Sequence, residues 1–287
     1  MSNERILITG ASGQLGQAVL QTLLKQGQTN LIGTTRSPEK LADFAKKGVE
    51  MRTADFAQPE GLADAFKGAT RLLVISATDV GIRVQQHKNA IDAAKKAGVR
   101  HIMYTSLVDT EKSIAAVAPD HVATENHMKQ SGLQYTFLRN NTYAENLLFS
   151  LPKAIETGMF YGCAGNGKVA YVTRQDCAHA AAGALMNAAR YENTVFEITG
   201  PASYSGAEVA SLVSEITHKK IAYKDLSPEE YKAALIKSGL PEHVAELFVS
   251  FDLSTKHGDV ASVSDAVEEL SGEAPHDLRS FLEVALK

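Results

Sequence analysis

Cysteine is nearly absent from this chain. Its 287 residues include two, Cys163 and Cys177, too few for a disulfide framework and without metal-ligand spacing. They read as ordinary small apolar side chains in a reducing compartment. Long apolar runs are missing too: none approaches the ~18–20 residues of a bilayer span, and the opening Met-Ser-Asn-Glu-Arg lacks a signal peptide's apolar stretch. The expectation is a soluble, unexported, cytoplasmic protein with no membrane partner. Positive charge is short as well, with 29 Lys and Arg against 33 Asp and Glu, a net −4. A general nucleic-acid binder needs clustered positive charge, so nucleic acid is not an expected partner. The charge is uneven: from Asp225 onward 13 acids face 5 bases, so that tail carries −8 and residues 1–224 carry +4. The tail reads as solvated helix faces, and the mildly basic front suits an anionic ligand. At 44% apolar and 22% charged, the chain is not disordered, and its length builds one large or two small domains.

Along the first two-thirds, short apolar runs (Ile6–Ile8, Leu31–Gly33, Arg71–Ile75, Ile102–Tyr104, Tyr135–Leu138) alternate with helix-like segments at 14–26, 38–47, 59–67, 82–97 and 119–131. Strand and helix alternating at this spacing predict βαβ units and a parallel sheet with helices on both faces. The runs are continuous rather than alternating, as in strands buried on both sides. Ser37-Pro38-Glu39 reads as a helix start, and Gly48 and Gly98, each after two lysines, as helix stops. Beyond residue 150 the rhythm changes to a glycine-rich stretch, a helix near 174–188, a strand near 194–198 and mostly helical acidic sequence.

Directly after the first run stands Gly10-Ala11-Ser12-Gly13-Gln14-Leu15-Gly16, opening a helix. Glycines at this spacing permit a sharp turn, let a diphosphate reach backbone N–H groups, and let helix pack closely on strand; the helix N-terminus adds partial positive charge. Strand before and helix after are the context a dinucleotide-binding turn requires. The second strand ends at Thr34-Thr35 without the acid that an NAD site uses for the ribose, and Arg36 follows. An arginine there suits a 2′-phosphate, so NADP(H) is favoured, with NAD(H) the second choice. Asp55, after a third strand that lies before the Arg71–Ile75 run, is placed either to accept from the adenine amino group or for turn chemistry beside Gln58-Pro59. Ser76-Ala77-Thr78 and Thr105-Ser106 follow the fourth and fifth strands at the edge where such sheets bind ligands.

Together, Gly10 to Gly16, Asp55, Tyr104-Thr105-Ser106, Leu138-Arg139-Asn140 and Arg174-x-Asp176-x-Ala178 resemble the atypical short-chain dehydrogenase/reductases of the NmrA-like branch, including bacterial NAD(P)H:quinone oxidoreductases and triphenylmethane dye reductases. The resemblance runs over nearly the whole chain, including the Gly-Asn-Gly-Lys loop at 165–168. Ordinary members of that superfamily use a Tyr-x-x-x-Lys pair on the helix after the fifth strand. Here that helix has His121-Val-Ala-Thr-Glu125, whose i, i+4 ends share one face. The departure argues against ordinary alcohol/ketone chemistry.

The resemblance implies hydride transfer straight from nicotinamide to a quinone or conjugated dye, without flavin or metal. The alternative is a dinucleotide-binding redox sensor without turnover. Candidate catalytic residues are His121, Asn140 and Tyr143. His121 either donates a proton or hydrogen bond to the acceptor, or orients the loop and bonds Glu125. Tyr143 either stacks on a flat acceptor or packs in the core. Asn140 is expected at the nicotinamide or the substrate, with Asn146 nearby, and Arg139 reads equally as a sheet-end salt bridge. Lys168 is either a lid residue or part of a plain hairpin turn. His121 and His127 are six apart, off one helical face, so no metal site is expected. The expected fold is α/β, a Rossmann-like doubly wound parallel sheet over residues 1–142 and 173–200. A smaller, mostly α-helical lobe over 143–172 and 201–287 would hold the small-molecule substrate. Oligomeric state is left open.

Overall fold

Each apolar run becomes a strand because its alternate side chains have a separate layer to enter. Ile6 and Ile8, Leu73, Met103 and Leu138 point into one core, and Leu7, Leu72 and Val74, Ile102 and Tyr104, and Phe137 into the other. A computed structural model describes residues 4–79 and 81–287; Met1, Ser2, Asn3 and Val80 lie outside the described residues. Part of the opening segment read for a leader thus falls outside them.

The chain begins with β1 (Ile6–Ile8), α1 (Gln14–Lys25) and β2 (Leu31–Thr35). A 3-10 turn over Pro38–Leu41, α2 (Ala42–Lys46), β3 (Glu50–Thr53), a 3-10 turn over Pro59–Gly61 and α3 (Leu62–Phe66) follow. Then come β4 (Arg71–Val74), α4 (Arg83–Lys96), β5 (His101–Leu107), α5 (Ala118–Gln130) and β6 (Gln134–Asn140). The helices expected over 38–47 and 59–67 are therefore each a 3-10 turn joined to a short α-helix. At the first, Leu41 leaves helical geometry (φ −116°, ψ 28°) to bury its side chain.

After a 3-10 turn over Ala144–Phe149 come α6 (Leu151–Thr157), β7 (Met159–Gly162), β8 (Lys168–Val169), α7 (Arg174–Met186), β9 (Thr194–Ile198), β10 (Tyr204–Ser205) and α8 (Gly206–Thr217). The chain ends with β11 (Ala222–Asp225), α9 (Pro228–Lys237), α10 (Glu242–His257), α11 (Ala266–Ser271) and α12 (Leu278–Ala285). Seven strands form a parallel sheet in the order β3-β2-β1-β4-β5-β6-β9. Strand order reverses between β1 and β4, the switch point of a Rossmann-like fold.

The second lobe has its own core, with Leu147, Leu151, Val209, Val213, Ile221 and Leu282 at its centre. Besides helices it contains two ribbons, β7 parallel to β11 and β8 antiparallel to β10. β7 and β8 do not pair with each other, so the 165–168 loop is not the hairpin turn expected. It is held against α10 instead: a Cβ on Gly167 would lie 2.3 Å from the Thr255 carbonyl. One late segment packs on the sheet's side of the molecule. Ala266, Val267 and Leu270 of α11 join the core under α7, where Gly183 allows close approach; a Cβ there would sit 1.8 Å from the Leu270 carbonyl. Among the described residues, no helix is long and apolar enough to cross a membrane.

Candidate active site

The carboxyl ends of the central strands open into a cavity of about 1600 Å³ that continues under the second lobe. A single small-ligand site takes ~300–1,000 Å³, so this cleft has room for two ligands together. All fifteen sequence-predicted site residues line it: Gly10, Ser12, Gly13, Gln14, Leu15, Gly16, Arg36, Asp55, Ser76, Ala77, Thr105, Ser106, His121, Asn140 and Tyr143.

The turn after β1 is built by its glycines. Gly10 has φ +58°, and a Cβ on Gly16 would lie 2.4 Å from the Gly10 carbonyl, so each position excludes a side chain by backbone geometry. Gly13 caps α1 without a side-chain hydrogen bond, and the helix's first turn has no acid. By contrast α7, α8, α9 and α12 are capped by Thr173, Ser205, Ser227 and Asp277. The first N–H groups of α1 are thus left for an external acceptor, and the positive end of the helix faces the cleft. This is a cradle that a diphosphate fits.

At the end of β2, Ser12 Oγ and Thr35 Oγ1 are hydrogen-bonded at 2.8 Å, tying the turn to the next strand. Arg36 is exposed at the cleft and has no ion pair among the described residues. The buried Thr34 Oγ1 beside it has no hydrogen-bond partner. Asp55 accepts the Ala57 N–H at 2.9 Å, so the turn chemistry is present while the residue also lines the cleft.

A chain of polar groups runs inward from the wall. Thr105 Oγ1 accepts the Ser76 N–H at 2.9 Å, and His87 Nε2 accepts the Ala77 N–H at 2.9 Å. The Thr124 hydroxyl donates to the Asp120 carbonyl, so His87 Nδ1 donates to Thr124. Both nitrogens of His87 are therefore assigned, and the ring is neutral; burial and the Arg83 charge push its pKa down to about 4. His121 Nδ1 meets the Tyr104 hydroxyl at 2.8 Å. Burial, with the Arg83 charge and His87 adding to it, pushes His121 down to about 3. His121 is therefore neutral at physiological pH, and its ring N–H is a hydrogen-bond group rather than a strong acid. Arg83 itself is buried and paired with Asp120 at 2.9 Å.

His121 does not bond Glu125, because Glu125 is already taken. It accepts from Ser106 Oγ at 2.7 Å and from Arg139 Nε and Nη2 at 2.9 and 2.7 Å. Arg139 also reaches Glu111 and Glu197, so the sheet-end salt bridge is its position. Asn140 donates to the Tyr143 hydroxyl at 3.1 Å. The Tyr143 ring is half-buried, with the Arg174 guanidinium 4.6 Å from its centroid, and Arg174 also donates to Asn146. Tyr143 therefore packs against the core and lines the cleft at once. Lys168 pairs with Glu208 at 2.8 Å, while Gly167 and Val169 beside it line the cleft.

The opposite wall went unread in the sequence. Phe160, Tyr171, Tyr223, Tyr231, Phe248, Phe251 and Asp252 line it, drawn from β7, β11, α9, α10 and the loop before α7. No spacing in the chain relates them, so no sequence signal was available. Tyr104 was visible only within the family motif, and its contact with His121 depends on how α5 packs on β5.

Comparison with known proteins gives a consistent answer. The family described as NmrA-like matches residues 2–282. The chain is 38% identical over 268 residues to Quinone oxidoreductase 2 of Escherichia coli (strain K12), covering 93% of each chain. The crystal structure of an NADPH-dependent quinone oxidoreductase from E. coli complexed with NADPH superposes with a TM-score of 0.95 at 36% identity, covering 98% of this chain and 100% of that one. The Citrobacter sp. triphenylmethane reductase complexed with NADP(H) gives a TM-score of 0.92 at 35% identity, covering 98% and 99%.

Proposed function

This chain belongs to the NmrA-like family, and from that premise we propose that it is an NAD(P)H-dependent oxidoreductase, NADPH preferred, delivering hydride to quinones and similar conjugated electrophiles. The observation that carries the reading is the single cleft joining the uncapped α1 N-terminus and Arg36 to Asn140, Tyr143, His121 and an aromatic wall. A quinone oxidoreductase with NADPH and a dye reductase with NADP(H) among its structural relatives support it.

NADPH, when bound, supplies the hydride. Gly10, Ser12, Gly13, Gln14, Leu15 and Gly16 would hold its diphosphate, and the unpaired Arg36 its 2′-phosphate. Asp55, its carboxylate oriented by the Ala57 N–H, would accept from the adenine amino group. Ser76, Ala77, Thr105 and Ser106 form the wall beside the nicotinamide half. One N–H of the Asn140 amide goes to Tyr143, so its second N–H and its carbonyl oxygen are the groups left for nicotinamide or acceptor. Tyr143 presents its remaining ring surface to a flat acceptor.

The acceptor needs no strong acid, because conjugation stabilises the product formed on hydride addition. Neutral His121 can hydrogen-bond an acceptor oxygen, with water completing proton delivery. Tyr104 cannot replace the missing tyrosine directly: it is fully buried, and burial holds its phenol above the ordinary range. The chemistry requires neither flavin nor metal. Residues 1–142 and 173–200 would serve the cofactor and 143–172 with 201–287 the acceptor, α11 standing with the former. Two free, buried thiols and a demand for NADPH favour the cytoplasm. NADPH oxidation by the purified protein, measured with a quinone and a triarylmethane dye, tests the proposal. Tight NADP(H) binding with no oxidation by either acceptor would refute it and favour a sensor.

A further inference from the structure

The aromatic wall holds one charged side chain that has no ion pair among the described residues. Asp252, on α10, lines the cleft beside Phe160, Tyr171, Tyr223, Tyr231 and Phe251. Its Oδ2 accepts the Cys163 backbone N–H at 2.6 Å. The Cys163 thiol is a second hydrogen-bond neighbour of the carboxylate, and among the described residues neither oxygen has an ion pair. The position is built rather than incidental. A Cβ on Gly162 would come within 2.8 Å of Asp252 Oδ2 and 2.9 Å of the Tyr223 hydroxyl, and one on Gly206 within 2.5 Å of the Tyr223 ring. Two glycines thus bring backbone up against this carboxylate and its neighbouring ring.

The titratable groups facing Asp252 are Cys163, Tyr171, Tyr223, Tyr231 and Asp225, and none of them supplies positive charge. Each of the first four is held above its ordinary pKa by burial and by Asp252, Cys163 at about 12. Burial raises Asp252 itself to about 6, and Asp225 adds to the effect. Lys256, further along α10, is exposed on the Gly165 side. Near neutral pH the half-buried Asp252 therefore places a negative charge without an ion pair among aromatic faces. A neutral quinone offers that carboxylate only acceptor oxygens. A flat conjugated cation offers positive charge to it and a delocalised face to the rings.

We propose that Asp252 sets acceptor specificity, favouring flat conjugated cations over neutral or anionic acceptors of similar size; this refines the reductase reading above and rests on it. An acceptor cation that takes up a hydride gains one C–H bond, loses its charge and needs no proton. Asp252 therefore holds the substrate more tightly than the product. Its contribution is to ground-state binding, and it weakens as product forms.

The test uses two triarylmethane dyes of matched skeleton, one cationic and one sulfonated to net negative charge, titrated into the NADP+-loaded protein. Wild type should bind the cationic dye more tightly. Asp252→Asn, which keeps an acceptor for the Cys163 N–H, should weaken the cationic dye about ten- to a hundred-fold, the range of a desolvated charged contact. The sulfonated dye should not weaken with it, and in turnover KM for the cationic dye should rise with kcat unchanged or higher. Cationic-dye affinity within about threefold of wild type, or equal losses for both dyes, overturns the proposal. Because the readout is equilibrium binding, it decides the role of Asp252 even if no acceptor is turned over and the reductase reading fails. If Asp252→Asn does not fold, wild type binding the sulfonated dye as tightly as the cationic one overturns it.

Discussion

Gly13 is a position at which cofactor binding and folding can be separated. Its backbone, φ −74° and ψ 161°, is open to any L-residue, and a Cβ there would meet only the Gly10 carbonyl, at 3.3 Å. Nothing else lies within 4 Å, so the rest of a larger side chain would project into the cleft, where the diphosphate is proposed to sit. Gly13→Val should therefore cost the fold about 1–2 kcal/mol, from one tight contact and a poorer N-cap, and leave it folded. It should also deny the phosphates their approach to the first N–H groups of α1. Charged hydrogen bonds contribute about 1.5–3 kcal/mol each, so losing two raises the NADPH dissociation constant by about 100-fold or more. Gly16→Ala is the matched control, since its Cβ would lie 2.4 Å from the Gly10 carbonyl and 2.9 Å from the Ala11 Cα. That variant should lower the melting temperature of the free protein. Calorimetric titration with NADPH, alongside thermal melts without ligand, measures both. A folded Gly13→Val that keeps wild-type NADPH affinity would refute the assignment of the turn.

Arg36→Ala should raise KM for NADPH about 10- to 100-fold, the loss of a charge-assisted phosphate contact, while KM for NADH changes little; equal changes for both would exclude a 2′-phosphate role. His121→Ala should lower kcat only moderately, and the wild-type rate should show no imidazole titration between pH 5 and 8, since His121 is held near 3. A loss approaching 10⁴-fold, the upper range for general acid catalysis, would make it the proton donor. Acid should also unfold the protein through its histidines. His87, His101 and His121 are held at about 4, 4 and 3, below the ordinary 6.5, so the unfolded chain binds more protons. The stability of their neutral forms is complete above pH 6.5 and is lost as pH falls toward 4. Each contributes a slope of up to about 1.4 kcal/mol per pH unit. Asp252, raised from 3.8 to about 6, acts in the opposite sense over part of that window and offsets about one of the three. Urea midpoints between pH 7 and 5 measure the net slope, and a flat profile would contradict the burial of these rings.

Much of the nucleotide half was legible before any coordinates. The glycine turn, the missing acid at the end of β2 and the strand ends at Ser76, Thr105 and Asn140 are local features, and each of those residues lines the cleft. The readings that needed revision concern partners. Glu125 was paired on paper with His121, four residues away on the same helix face, but Arg139 and Ser106 reach it from neighbouring strands. The loop at 165–168 looked like a hairpin because glycines make turns, yet α10 and the ribbon pairings gave it another task.

By itself the sequence determined the alternation of strands and helices through the parallel sheet, the glycine turn after β1 and the absence of a Tyr-x-x-x-Lys pair. These depend on backbone conformations and apolar periodicities set by residues within one or two turns of each other. Only the tertiary structure decided that Tyr104 meets His121, that α11 lies against α7, and that Asp252 faces the Cys163 backbone across 89 residues of sequence. Such meetings depend on the rotation and depth at which whole elements pack. No local spacing encodes that, and it is why the aromatic wall, assembled from five separate segments, came into view only in three dimensions.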